Sequence, residues 1–159
     1  MDISGITAGA VHTAPLAHLW DAAIITALFF FAALIYAAAQ DIRTKEVGDY
    51  IHVIIAVTAF IGFDRANVLA MLAGAVLSAL PLLIAGVVKR GCIGGADSKL
   101  MAASGLILGA SRGVIALMIG LFLGVACTFL YRKTKQADMK TSFPLVPYLA
   151  AGCAVAYLL

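Results

Sequence analysis

Two aspartates are the residues of this chain best placed to do chemistry, and each sits at the edge of an apolar run. Asp41 closes one run in AAAQDIRTKEV, and Asp97 opens another in GCIGGADSKLMAASG. An ionisable carboxylate at the end of a membrane helix is costly to keep dry, which marks it as a functional candidate. Two of them on one membrane face can share a proton. The ionised one then takes a proton from water while the protonated one polarises a carbonyl. Everything turns on whether the surrounding elements bring both to the same face.

Those elements are membrane helices by composition. Of 159 residues, 64% are hydrophobic and 12% charged, with a mean hydropathy of +1.06. A soluble domain is nearer half apolar and a quarter charged. The length fits a single integral-membrane domain over 1–159, with no soluble domain. The formal charge is only +3. Its basic residues fall between apolar runs, so no nucleic-acid surface is expected. Cys92, Cys127 and Cys153 form no CxxC pair, which leaves no zinc or thioredoxin-like signal. They read as small packing residues, and no metal or cofactor is required. The N-terminus lacks a basic stretch followed by an apolar core. It is not read as a secretory signal peptide, and the chain is expected to enter the membrane through its own first helix.

The apolar runs are Leu19–Ala39, Tyr50–Phe63, Val68–Val88, Ile93–Ala110, Gly113–Tyr131 and Phe143–Leu159. They predict an all-α polytopic bundle of about six transmembrane helices. Alternating strand patterns are absent, which argues against a barrel. Pro81 is expected to kink the third helix. Gly105-x-x-x-Gly109 and Gly120-x-x-x-Gly124 are expected to let helices approach closely.

Basic residues set the orientation. The odd-numbered loops hold Arg43, Lys45, Lys89, Arg90, Lys99, Arg132, Lys133, Lys135 and Lys140. The even-numbered loops hold only Arg65 and Arg112. The odd loops are therefore expected in the cytoplasm and both termini outside. The same bias requires the fourth run to span, starting near Ile93, because 18 residues at about 1.5 Å each reach about 27 Å. Asp97 would then lie about one turn inside the cytoplasmic edge, at a depth similar to Asp41. The second run, at 14 residues, is short. It is expected either to begin earlier, within Thr44–Asp49, or to sit in a thinned bilayer.

Each aspartate also has a plain reading. Asp41 could be a solvated helix end paired with Arg43 or Lys45, and Asp97 a helix N-cap. A plain cap does not need Gly94 and Gly95, which permit unusual backbone angles and close approach.

The segment Gly94-Gly95-Ala96-Asp97-Ser98-Lys99-Leu100 resembles the G-x-G-D-x-K-L signature of the type IV prepilin peptidases. Met101 to Gly109 matches the A-A-x-G-x-x-L-G continuation. Asp41-Ile42-Arg43 resembles the family's D-x-R motif, and Ser142 to Ala150 is similar to its P-F-x-P-x-L-A element. There are departures. Ala96 replaces the second glycine of G-x-G-D and restricts the backbone there. Val47-Gly48-Asp49 stands where many members carry I-P-N, and Phe143 precedes Pro144 instead of following it. The chain lacks the paired cysteines that larger bacterial members carry in an N-terminal region linked to N-methylation. The resemblance is to the short, peptidase-only members that serve Flp-type pili or archaeal filaments.

That resemblance implies a plasma-membrane aspartic endopeptidase of pilus assembly. It would cut a short basic leader from a prepilin-like substrate at the cytoplasmic face, with Asp41 and Asp97 as a coupled pair. Arg43, Gly94, Gly95, Ala96 and Lys99 are the supporting motif positions. Asp49 and His52 are candidates for contact with the leader, and Pro144 and Pro147 for shaping the last helix. His12 and His18 have no assigned role. Two rivals use the same residues. A proton- or ion-coupled transporter would employ both acids as a relay, although such sites lie near the midplane. An inactive membrane scaffold would follow if Ala96 disables the motif.

Overall fold

The computed structural model describes residues 14–61, 67–88, 94–135 and 144–159; the side chains of 14–21, 132, 134 and 135 fall outside that description. Within it the protein is all-helical, with α1 (Ala14–Thr44), α2 (Asp49–Thr58), α3 (Val68–Val88), α4 (Gly95–Lys135) and α5 (Val146–Leu158). His12, Arg65, Lys89, Arg90, Cys92, Ile93, Lys140, Ser142 and Phe143 lie outside the described residues, as do the side chains of His18, Arg132 and Lys135.

In α1, Phe30, Leu34, Ala37 and Asp41 are all buried. Their spacing of i, i+4, i+7 and i+11 is one face of a helix. Asp41 thus continues the stripe that packs inward. The sequence predicts an end at Ala39, but the helix runs to Thr44. The segment Gln40–Thr44 contains no Gly or Pro to stop it, and the Thr44 hydroxyl donates to the Gln40 carbonyl at 2.9 Å. Lys45 ends the helix in the left-handed region at φ 56. Its N–H donates back to the Asp41 carbonyl at 2.9 Å, a single-bond αL stop. Asp41 is therefore held inside the last full turn of a helix, not in a loop.

The second run is corrected in the other direction. Helix α2 begins at Asp49, one residue ahead of the run and at the edge of Thr44–Asp49, and ends at Thr58, short of Phe63. Ten residues give about 15 Å of helix. Its buried face is Ile51, His52, Ile55 and Thr58.

Helix α4 joins the fourth and fifth runs but is broken at Gly109 (φ 73, ψ −178), a conformation open essentially only to glycine. A Cβ built on Gly113 would lie 3.7 Å from the Gly105 Cα. Eight residues along a straight helix would separate them by about 12 Å. The chain therefore reverses at Gly109 into two antiparallel arms. Helix α3 closes on this hairpin through glycines. A Cβ on Gly74 would meet the Gly105 carbonyl oxygen and, at 2.5 Å, the Gly109 carbonyl carbon. The Ser78 hydroxyl lies 2.7 Å from the Gly74 carbonyl and 2.8 Å from that of Met101 in the first arm. One proton is shared between these two acceptors. The second arm meets α5 in the same way, with a Cβ on Gly120 placed 2.9 Å from the Leu149 Cα. Both Gly-x-x-x-Gly pairs thus sit at helix contacts, as the sequence predicts. Pro81 lies inside α3. Cys153 is fully buried in the core among Leu149, Ala150 and Ala156, the packing role expected of it.

The outer surface carries Ile24, Leu28, Phe29, Ile35, Leu69, Val87, Phe122 and Val125, all more than half exposed. Large exposed apolar surface of this kind fits lipid and not water. Among the described residues, three helices are long and apolar enough to cross a membrane: Ala22–Thr44, Val68–Val88 and Gly95–Tyr131. Helices α2 and α5 are shorter. The first arm of α4, Gly95 to Leu108, gives about 21 Å, less than the 27 Å expected from a start near Ile93. Helix length thus accounts for three crossings, and the expected six are not reached on that criterion.

Candidate active site

Four helix ends meet at one edge of the bundle: the last turn of α1 and the first turns of α2, α4 and α5. Asp41 comes from α1, Asp97 from α4, and each is buried, at 7% and 6% exposure. The Asp41 Oδ2 accepts the backbone N–H of Val146, the first residue of α5, at 3.2 Å. A helix N-terminus presents free N–H groups and the positive end of its dipole, so it favours a carboxylate at that spot. Asp97 Oδ2 accepts the Gly94 N–H at 3.2 Å. The charge of Asp41 is felt at Asp97.

The plain reading of Asp41 does not hold, and that of Asp97 holds in an altered form. Asp41 is buried, and among the described residues no ion pair joins it to Arg43 or Lys45. Asp97 is not the N-cap. Helix α4 starts at Gly95, and Asp97 is its third residue, reaching back to the N–H of Gly94 just before the helix. That is the reciprocal half of a capping box. It fixes the carboxylate against the chain through one of its two oxygens. Asp97, Met101, Ser104 and Leu108 are all buried, one helical stripe running inward from the site.

The residue pattern alone shows two carboxylates on a shared edge, and the comparisons with known proteins give that edge a family. The family model described as type IV leader peptidase matches residues 28–129, which take in both aspartates. The chain belongs to the type IV leader peptidase family. A curated relative, the prepilin leader peptidase/N-methyltransferase of Bacillus subtilis (strain 168), is 28% identical over 144 residues, which are 85% of this chain and 56% of that protein. The chain thus spans little more than half the length of that relative. No solved structure matches it significantly.

Against the leader peptidase motif, the glycine positions differ from expectation. Gly94 and Gly95 do not take positive φ; among the described glycines only Gly109 does. A Cβ on Gly95 would have nothing within 4 Å. Among the described residues, no other chain segment crowds this position. Ala96 lies in the helix with an ordinary backbone and packs against the core. The departure from G-x-G-D is therefore compatible with the fold, because alanine is the better helix former. Ala96→Gly is expected to lower stability by about 0.5–1 kcal/mol and to bring no gain in activity. Detergent-denaturation midpoints and a cleavage assay on the two proteins check this.

Of the other candidates, Lys99 and Asp49 meet. Lys99 Nζ lies 2.6 Å from Asp49 Oδ1, tying α4 to the start of α2, with the two side chains 56% and 73% exposed. Lys99 holds the Asp49 carboxyl below the usual carboxylate range. Arg43 is exposed and orients nothing among the described residues. His52 is buried, and among the described residues neither ring nitrogen has a hydrogen-bond partner. Pro147 lies in the first turn of α5, where its fixed φ suits the helix start. The Val146 N–H was not foreseen from the sequence. A backbone donor carries no residue-type signal, and the nearby prolines mark only the helix start that presents it.

Proposed function

We propose that this chain is a membrane aspartic endopeptidase that removes the short basic leader of prepilin-like proteins, with Asp41 and Asp97 as its catalytic pair. The observation that carries the reading is the burial of two carboxylates, from the ends of α1 and α4, inside the region that matches the leader peptidase family. Two nearby carboxylates do not both ionise readily, so the pair holds one proton between them. The ionised member takes a proton from a water molecule. The resulting oxygen nucleophile attacks the scissile carbonyl carbon, and the protonated member gives its proton to the carbonyl oxygen. Collapse of the tetrahedral species breaks the C–N bond, with a proton passing to the departing amine.

The two arms of α4 are read as separate crossings in a single membrane domain of six, and the edge holding the aspartates as the cytoplasmic one. The excess of Lys and Arg in the loops beside that edge supports this orientation, with both termini outside. Co-expression with a candidate prepilin tests the function. Gel shift of the prepilin and a new N-terminus at the head of its apolar helix are expected. An intact prepilin beside a correctly inserted chain would contradict the reading.

A further inference from the structure

Next to the two aspartates lies a second polar cluster that the cleavage chemistry does not use. Asp49 opens α2, Lys99 stands two residues beyond Asp97, and the two are joined by the 2.6 Å contact. Both side chains are more than half exposed. An ion pair so exposed contributes little to stability and exchanges partners readily. Asp49 is thus a carboxylate already occupied by an ammonium group that another cation can replace. One turn along α2, His52 is 6% exposed, and both its ring nitrogens lack a partner among the described residues. It feels the charges of both Asp49 and Lys99. A buried polar group without a hydrogen bond is unusual in a native protein and calls for a partner from outside. Two observations therefore coincide: an exchangeable cation site, and an unmet hydrogen-bonding group beneath it.

We infer that Asp49 receives a cationic side chain of the polypeptide substrate in exchange for Lys99, and that His52 hydrogen-bonds the incoming chain beside it. The inference rests on the peptidase reading and adds to it a residue that selects the substrate. Because Lys99 belongs to the helical turn next to Asp97, exchange of its partner places the substrate's cation next to the catalytic pair.

The test uses the full chain in lipid vesicles and a prepilin-like substrate with one Arg near the cut, beside the same substrate with Gln there. With the wild-type chain, the Arg-to-Gln change is expected to raise KM about tenfold, and with Asp49→Asn by less than about twofold, kcat moving little in both. Lys99→Gln removes the competing ammonium. It is expected to lower KM for the Arg substrate, a gain that a damaged fold does not mimic. His52→Leu is expected to raise KM for both substrates alike. Equal discrimination between the substrates by wild type and Asp49→Asn would overturn the inference alone, as would an unchanged or higher KM in Lys99→Gln. An unchanged KM in His52→Leu would overturn the role of His52. A wild-type chain that cuts neither substrate would overturn the peptidase reading and this inference with it.

Discussion

Asp41→Asn and Asp97→Asn are each expected to reduce leader cleavage by about a thousandfold or more, and the double substitution is expected to be no worse than the single ones. The amide keeps the shape of the carboxyl group but neither takes a proton from water nor gives one to the carbonyl. If the two residues work as one pair, removing either removes the function of both, so their effects do not add. Both substituted proteins should remain folded. At position 41 the Asn amide oxygen can still accept the Val146 N–H, and at position 97 that of Gly94. Cleavage rates in membranes, with denaturation midpoints measured alongside, check both statements. Multiplying losses in the double variant would show two independent roles.

The largest effect on stability is expected at the α3–α4 contact. Gly105→Ala puts a methyl group against the Gly74 carbonyl oxygen and the Ser78 hydroxyl. The first is backbone and cannot swing aside, and the second is engaged with Gly74 and Met101. Overpacking of this kind costs about 1–3 kcal/mol. Gly95→Ala is the matched control. It lies in helix with nothing within 4 Å of the added carbon, so stability should hold or rise by up to about 1 kcal/mol. Midpoints of unfolding in mixed detergent separate the two. Equal behaviour would mean that α3 and the first arm of α4 are not packed through these glycines.

Much of this arrangement was legible in the residues, for physical reasons that can be named. Asp41 and Asp97 stood out because charge is rare in an apolar run. The glycine pairs marked helix contacts because only a missing side chain lets backbones meet. Boundaries were harder. Gln40 to Thr44 looks like loop by hydropathy, yet it is helix, because hydropathy reports burial in lipid and not backbone conformation. Helix α2 came out shorter than its apolar run for the same reason. The inward stripes Phe30–Leu34–Ala37–Asp41 and Asp97–Met101–Ser104–Leu108 were hidden because lipid-facing and core-facing positions are both apolar. The Lys99–Asp49 pair joins residues 50 apart in sequence, and no local pattern announces it. Position 96 is helical, so the backbone there does not require glycine.

The measurement that tests the account most directly is mass spectrometry of the products formed by the purified chain in lipid vesicles with a prepilin-like substrate. The wild-type protein should give a single cut between the basic leader and the apolar helix, yielding both fragments. The Asp41→Asn/Asp97→Asn protein, equally folded and inserted, should leave the substrate whole. Cleavage at the same bond by the doubly substituted protein would contradict the assignment of these two residues, and an uncut substrate with the wild type would contradict the peptidase itself.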